Sequence, residues 1–142
     1  MKIESGKVNF QFSPFPFHLK KLDYTISIGS NEQRRENMEL ARRRLTELFS
    51  GIRFSEEEET VPLFFHRPNL FSNQVACFAS DNPVEEVTAC LKAIEREAGR
   101  KPEEKEQEIV RLDIDLLSCD GTVYKPKDLK RDYILRGLKQ LL

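Results

Sequence analysis

Long apolar runs are missing from this chain, and so is a surplus of either charge. No stretch approaches the roughly 20 apolar residues that a membrane-crossing helix needs, so no membrane partner is expected. The 23 basic and 24 acidic residues leave a formal net charge of −1. That balance gives no bulk attraction to nucleic acid, so none is expected as partner, and any anion site must be local. Cysteine is sparse: Cys77, Cys90 and Cys119 are odd in number, lack metal-ligand spacing and sit in apolar stretches. They read as buried, reduced thiols, which fit the cytosol. Lys2, Glu4 and Lys7 interrupt the N-terminus and no apolar segment follows, so no signal peptide is expected, and the location expected is cytoplasmic. His18 and His66 belong to no motif and read as loop residues. No repeat or low-complexity tract occurs beyond short acidic runs at 56–59 and 103–108.

What is present suits a globular fold. With 142 residues, 39% hydrophobic and 33% charged, the chain can enclose a core and is neither membrane-bound nor disordered by composition. One domain over 1–142 is expected, with 1–22 as an N-terminal extension. Val8, Phe10 and Phe12 alternate along a strand at 7–12 that Pro14 and Pro16 stop. Tyr24, Ile26 and Ile28 mark a second strand at 23–28, and Ser30 to Gln33 has the form of a capping box. The helix expected at about 32–49 carries Met38, Ala41, Leu45 and Leu48 on one stripe, with Arg34, Arg35, Arg42 and Arg44 on its other face. Strands are expected at 51–60 and 69–79. Asn82-Pro83-Val84-Glu85 starts a second helix, with Val87, Cys90, Leu91, Ile94 and Ala98 buried and Gly99 as its stop. A strand at 109–118, a hairpin turn at Asp120-Gly121, an edge strand at 122–124 and a helix at about 128–142 complete the chain. The order β–α–β–β–α–β predicts an α+β fold, a ferredoxin-like sandwich: an antiparallel sheet with helices packed on it, plus an extra C-terminal hairpin and helix.

In Leu112-Asp113-Ile114-Asp115-Leu116-Leu117, alternation points Asp113 and Asp115 to one face. Carboxylates about 7 Å apart along a strand can each hold a hard cation, or share a pair, and Mg²⁺ with substrate phosphates suits this geometry. The same pattern also arises where a strand simply turns one face to water.

Further segments bear on that choice. Tyr24 to Asn31, ending in Gly29-Ser30-Asn31, is followed in order by Thr60-Val61-Pro62-Leu63, Phe71-Ser72-Asn73-Gln74-Val75, Ala93 to Arg100, the Asp-x-Asp strand and Arg131-Asp132-Tyr133-Ile134-Leu135. In these segments the chain, from about Asp23 to Leu138, resembles the hydroxymethyl-dihydropterin pyrophosphokinases of folate biosynthesis. The resemblance implies transfer of a pyrophosphoryl group from ATP to the hydroxymethyl oxygen of a pterin, leaving AMP. It implies Mg²⁺ as cofactor, held by Asp113 and Asp115, and ATP and a pterin as small-molecule partners, with no obligate protein partner. Arg100 and Arg131 would meet phosphate oxygens. Asn73 would read the pterin edge, Phe71 and Tyr133 would supply aromatic faces, and Thr60 and Leu63 would close the pocket.

Three departures from the family stand out. Where its basic, aromatic loop (Arg-x-x-x-x-x-Arg-Trp-Gly-Pro-Arg) precedes the metal strand, this chain has Pro102-Glu103-Glu104-Lys105-Glu106-Gln107-Glu108-Ile109-Val110. Its Pro-His loop is shortened to Lys125-Pro126-Lys127, and the chain stops at Leu142, before the family's C-terminal extension. Either Lys101, Lys105, Lys125, Lys127 and Lys130 substitute for the lost arginines, or the chain is a catalytically weak or inactive relative that binds a pterin-like ligand or a protein.

Overall fold

The structure, a computed structural model, describes residues 20–63 and 65–142. The strand expected at 7–12 and His18 lie outside the described residues.

Tyr24, Ile26 and Ile28 alternate with small polar residues, which makes β1 (Leu22–Ser30) a strand with one fully apolar face. It is the middle of the sheet, antiparallel to β4 (Phe71–Ser80) on one side and β5 (Asp113–Cys119) on the other. Beyond β4 lie two short strands, β2 (Arg53–Phe54) and β3 (Glu58–Thr60), and beyond β5 lies β6 (Thr122–Val123). The order is β2-β4-β1-β5-β6, with β3 also paired to β4. Helices α1 (Arg34–Leu48) and α2 (Val84–Glu97) cover the Tyr24–Ile26–Ile28 face, where Met38, Ala41, Leu45, Val87, Leu91 and Ile94 complete the main core. This is a ferredoxin-like α+β sandwich with an added hairpin and a third helix, α3 (Asp132–Leu141).

Among the described residues, the other face of the sheet is covered only in part. There Val75, Leu117, Ile134 and Leu141 form a second, smaller core under α3. Gly137 makes that contact possible: a Cβ there would lie 2.7 Å from Cγ2 of Val75. Along β5, alternation sends Leu116 to the main core and Leu117 to the smaller one, and a register shift against β1 at Thr25/Ile26 then returns Cys119, opposite Tyr24, to the main core.

Several local expectations needed correction. Gln33 is left-handed (φ 46°) with no side-chain cap bond, and α1 starts at Arg34, so Ser30 and Gln33 form no capping box. Leu48 is 41% exposed, and Phe49 is buried in its place, stacked 4.1 Å from Phe78. The strand expected over 51–60 is broken at Ser55, whose backbone N–H still donates to the Val75 carbonyl at 2.8 Å while its hydroxyl, in place of a backbone carbonyl, accepts the Val75 N–H at 2.9 Å. Asn82 does not cap α2 with its side chain; its carbonyl accepts the Tyr24 hydroxyl at 2.6 Å. The strand expected at 109–118 runs Asp113–Cys119; ahead of it Val110 is hydrogen-bonded to Asn31, whose side chain accepts the Val110 N–H at 2.7 Å, and 102–105 form a 3₁₀ turn. The C-terminal helix likewise begins at Asp132, after a 3₁₀ turn at 128–130.

The acidic run at 56–59 is not a freely solvated strand end. Glu57 pairs with Arg42 and Glu59 with Arg34, each at 2.9 Å, so alternate carboxylates meet the basic face of α1. Glu58 points the other way and pairs with Arg136 of α3.

Candidate active site

The part of the open face that α3 leaves uncovered is a cleft of about 610 Å³. Its floor follows from register. Gly29 of β1 lies opposite Asn73 of β4 and Asp113 of β5, and Ser27 lies opposite Asp115. Asp113, Gly29 and Asn73 therefore share one row across three strands, with the glycine leaving an open gap between two polar side chains. One wall is Thr60 to Leu63 with Phe65, and the other is the segment from Asp128 to Ile134 that opens α3.

Of the residues singled out from sequence, Asp113, Asp115, Arg131, Thr60, Leu63, Phe71, Asn73 and Tyr133 all line this cleft. Arg100 does not line it, but its Nη1 donates to Asp113 Oδ1 at 2.9 Å from the side. The Asn73 amide is 8% exposed and donates to the Thr60 hydroxyl at 2.6 Å. Arg131 donates to Asp128 at 3.2 Å, which holds its guanidinium beside the start of α3. Phe71 meets Phe65 edge-on, with ring centroids 5.5 Å apart. Burial pushes the Tyr133 phenol above its ordinary pKa.

The two aspartates crowd each other. Burial, then the charge and hydrogen bond of Asp113, push the Asp115 carboxyl up to about 7, while Lys125 pulls it the other way. Such a pair holds a proton in place of the positive charge its environment favours. Hard oxygen donors with surplus negative charge fit a Mg²⁺ ion completed by water and phosphate oxygens. Among the described residues no group of three or more His, Cys, Asp and Glu is arranged to hold a metal; Asp113 and Asp115 would hold it as a pair.

Behind Asp113 stands an ionic support that the sequence did not reveal. Glu95 of α2, its side chain only 4% exposed, accepts the Ile114 N–H at 2.8 Å and pairs with Arg100 at 3.1 Å. Burial raises the Glu95 pKa in spite of that N–H. A charged residue on the core side of an amphipathic helix was the available signal.

The acidic stretch before β5 is also more ordered than its composition suggests. Glu104 is 7% exposed and accepts from Arg111 at 2.9 Å. Glu108 accepts the backbone N–H groups of His66 and Arg67, each at 2.7 Å. Glu103 and Glu106 remain exposed. Of the lysines considered as replacements for missing arginines, Lys130 lines the cleft and Lys125 acts on Asp115, whereas Lys101, Lys105 and Lys127 are exposed and outside the lining.

The family model of 7,8-dihydro-6-hydroxymethylpterin-pyrophosphokinase matches residues 25–142. The chain belongs to that family. Membership places it among the folate-pathway pyrophosphokinases, which are transferases. No curated protein matches the chain. No helix among the described residues is long and apolar enough to cross a membrane.

Proposed function

We propose that this pyrophosphokinase-family protein transfers pyrophosphate from ATP to hydroxymethyl-dihydropterin with Mg²⁺. The observation that carries this reading is the shared floor of one cleft: a hydrogen-bonding amide, Asn73, in one row with Asp113, and a second carboxylate, Asp115, in the next row on the same face. Asn73 offers a donor and an acceptor to a heterocycle edge. Phe71 and Tyr133 face its ring, and Thr60 and Leu63 close over it. Asp113 and Asp115 hold Mg²⁺, which when bound neutralises and orients the phosphates. The pterin hydroxymethyl oxygen forms a bond to the β-phosphorus of ATP. The bond from that phosphorus to the α-bridging oxygen breaks, AMP leaves, and the hydroxyl proton passes to solvent. The work of the side chains is alignment and charge compensation. Arg131 and Lys130 supply positive charge on the α3 side, and Arg100 supplies it behind Asp113.

The assay is AMP release from ATP in the presence of Mg²⁺ and hydroxymethyl-dihydropterin. AMP formation that needs both the pterin and Mg²⁺ is the expected result. No AMP above a protein-free control, with pterin binding intact in calorimetry, overturns transfer. That outcome favours a second reading, a relative that binds a pterin-like ligand without turning it over. The second reading rests on residues 102–108, where a folded acidic turn stands in place of a basic, aromatic loop.

A further inference from the structure

The carboxylate of Glu108 sits where charge counting makes it a liability, since it follows three other acidic residues just before the metal strand. Its contacts tell otherwise. One oxygen accepts two consecutive backbone N–H groups, from His66 and Arg67, each at 2.7 Å, and the other lies 3.4 Å from Nδ1 of His66. Charge-assisted bonds of this kind are about twice as strong as neutral ones. The Glu108 backbone is bound as well. Its carbonyl accepts from the Asn31 side chain at 2.8 Å and from Arg67 at 3.3 Å. Asn31, 3% exposed, also accepts the Val110 N–H at 2.7 Å, and Arg67 pairs with Glu32 at 2.5 Å. Glu108 adopts a left-handed backbone (φ 58°), which is unfavourable for a side chain of this type and needs such contacts to persist.

The residue next to this clasp is Phe65, which lines the cleft and meets Phe71 edge-on. We propose that Glu108 is a positioning residue for the aromatic wall of the cleft. It fixes the backbone at His66 and Arg67, and through it the Phe65 ring against Phe71, so that a flat heterocycle meets a preformed slot. The acidic stretch before the metal strand thereby serves the heterocycle end of the site, not the phosphate end. This inference rests on the proposed pterin site but makes a prediction about the protein without ligand.

The test compares the wild-type chain with Glu108→Gly and Glu108→Gln. Glycine suits the left-handed backbone and removes the carboxylate, so the fold survives; glutamine retains an acceptor oxygen. In the unliganded protein, amide exchange at His66 and Arg67, read by NMR, is expected to rise about tenfold or more in Glu108→Gly and to recover largely in Glu108→Gln. Affinity for hydroxymethyl-pterin, measured by fluorescence titration without ATP, is expected to fall about fivefold or more in Glu108→Gly, again with recovery in Glu108→Gln. Unchanged exchange at both amides overturns the proposal, as does faster exchange with unchanged pterin affinity. A wild-type chain that binds no pterin refutes the proposed function instead, and the exchange comparison then decides alone whether Glu108 holds the wall.

Discussion

The two faces of the central sheet are built from the same three strands and put to opposite uses. On the helix-covered face, Tyr24, Ile26, Ile28, Ala76 and Ile114 meet α1 and α2 with no more than 2% exposure each. On the other face, the alternate residues of those strands are Ser27, Gly29, Asn73, Asp113 and Asp115, and a cleft stands over them. Period-2 alternation thus separates the residues that hold the fold from those that could bind a ligand. Substitutions on the first face should register as stability, and those on the second as activity.

The largest effect expected is on the cleft face. Asp113→Asn or Asp115→Asn should lower pterin-dependent AMP release by about 10³-fold, given the loss of preorganised charge, while unfolding remains cooperative. A measurable drop in stability at pH 8 with activity retained would break the comparison. Ile26→Ala should do the reverse, costing about 2–5 kcal/mol in urea unfolding, with ligand affinity preserved in the folded fraction. Gly137→Val tests the small core under α3. The closest approach to Val75 is already 2.7 Å for a Cβ, so overpacking should cost about 1–3 kcal/mol, seen as a lower urea midpoint.

The pH dependence sharpens the same contrast. In the metal-free protein the Asp115 carboxyl is held at about 7, above its ordinary 3.8. The folded state therefore binds the proton more tightly than the unfolded state between those values. Stability from this group is full below about pH 4 and is lost as pH rises through about 7. Asp115→Asn should flatten that slope in urea titrations with EDTA, and a wild-type slope that persists in the variant would exclude the pair as its source. The smallest effect should come from the exposed Glu58–Arg136 pair, where Arg136→Gln should change stability by less than about 1 kcal/mol and less still in high salt.

Much of the fold was legible in the sequence because it depends on local pattern. Tyr24, Ile26 and Ile28 announced β1, and Val87, Leu91 and Ile94 announced α2, which Gly99 ends in a left-handed turn (φ 89°). What failed depends on partners distant in sequence. Ser30 and Gln33 matched a capping box, yet Asn31 between them is engaged by Glu108 and Val110, 77 and 79 residues away. The strand expected over 51–60 is interrupted at Ser55, whose hydroxyl accepts the N–H of Val75, 20 residues away. For the site, the Asp-x-Asp alternation was visible, but its neighbours came from the order of six segments resembling a family, not from spacing alone. In the acidic runs, counting charges cannot see the groups that receive Glu57, Glu59, Glu104 and Glu108: Arg42, Arg34, Arg111 and the His66 and Arg67 amides.

Gly29 gives the row it shares with Asn73 and Asp113 a metric meaning. Strands in a sheet stand about 4.8 Å apart, so the Asn73 and Asp113 backbones are separated by two such steps, roughly 10 Å. A Cβ added at Gly29 would come no closer than 3.5 Å to any neighbour, so the protein itself could accommodate it; only a ligand lying across the row would be obstructed. The sheet is in this sense a ruler with a blank middle mark. A molecule gripped at once by the Asn73 amide and by a cation on Asp113 must bridge that interval, and one too short to do so can be held at one end only.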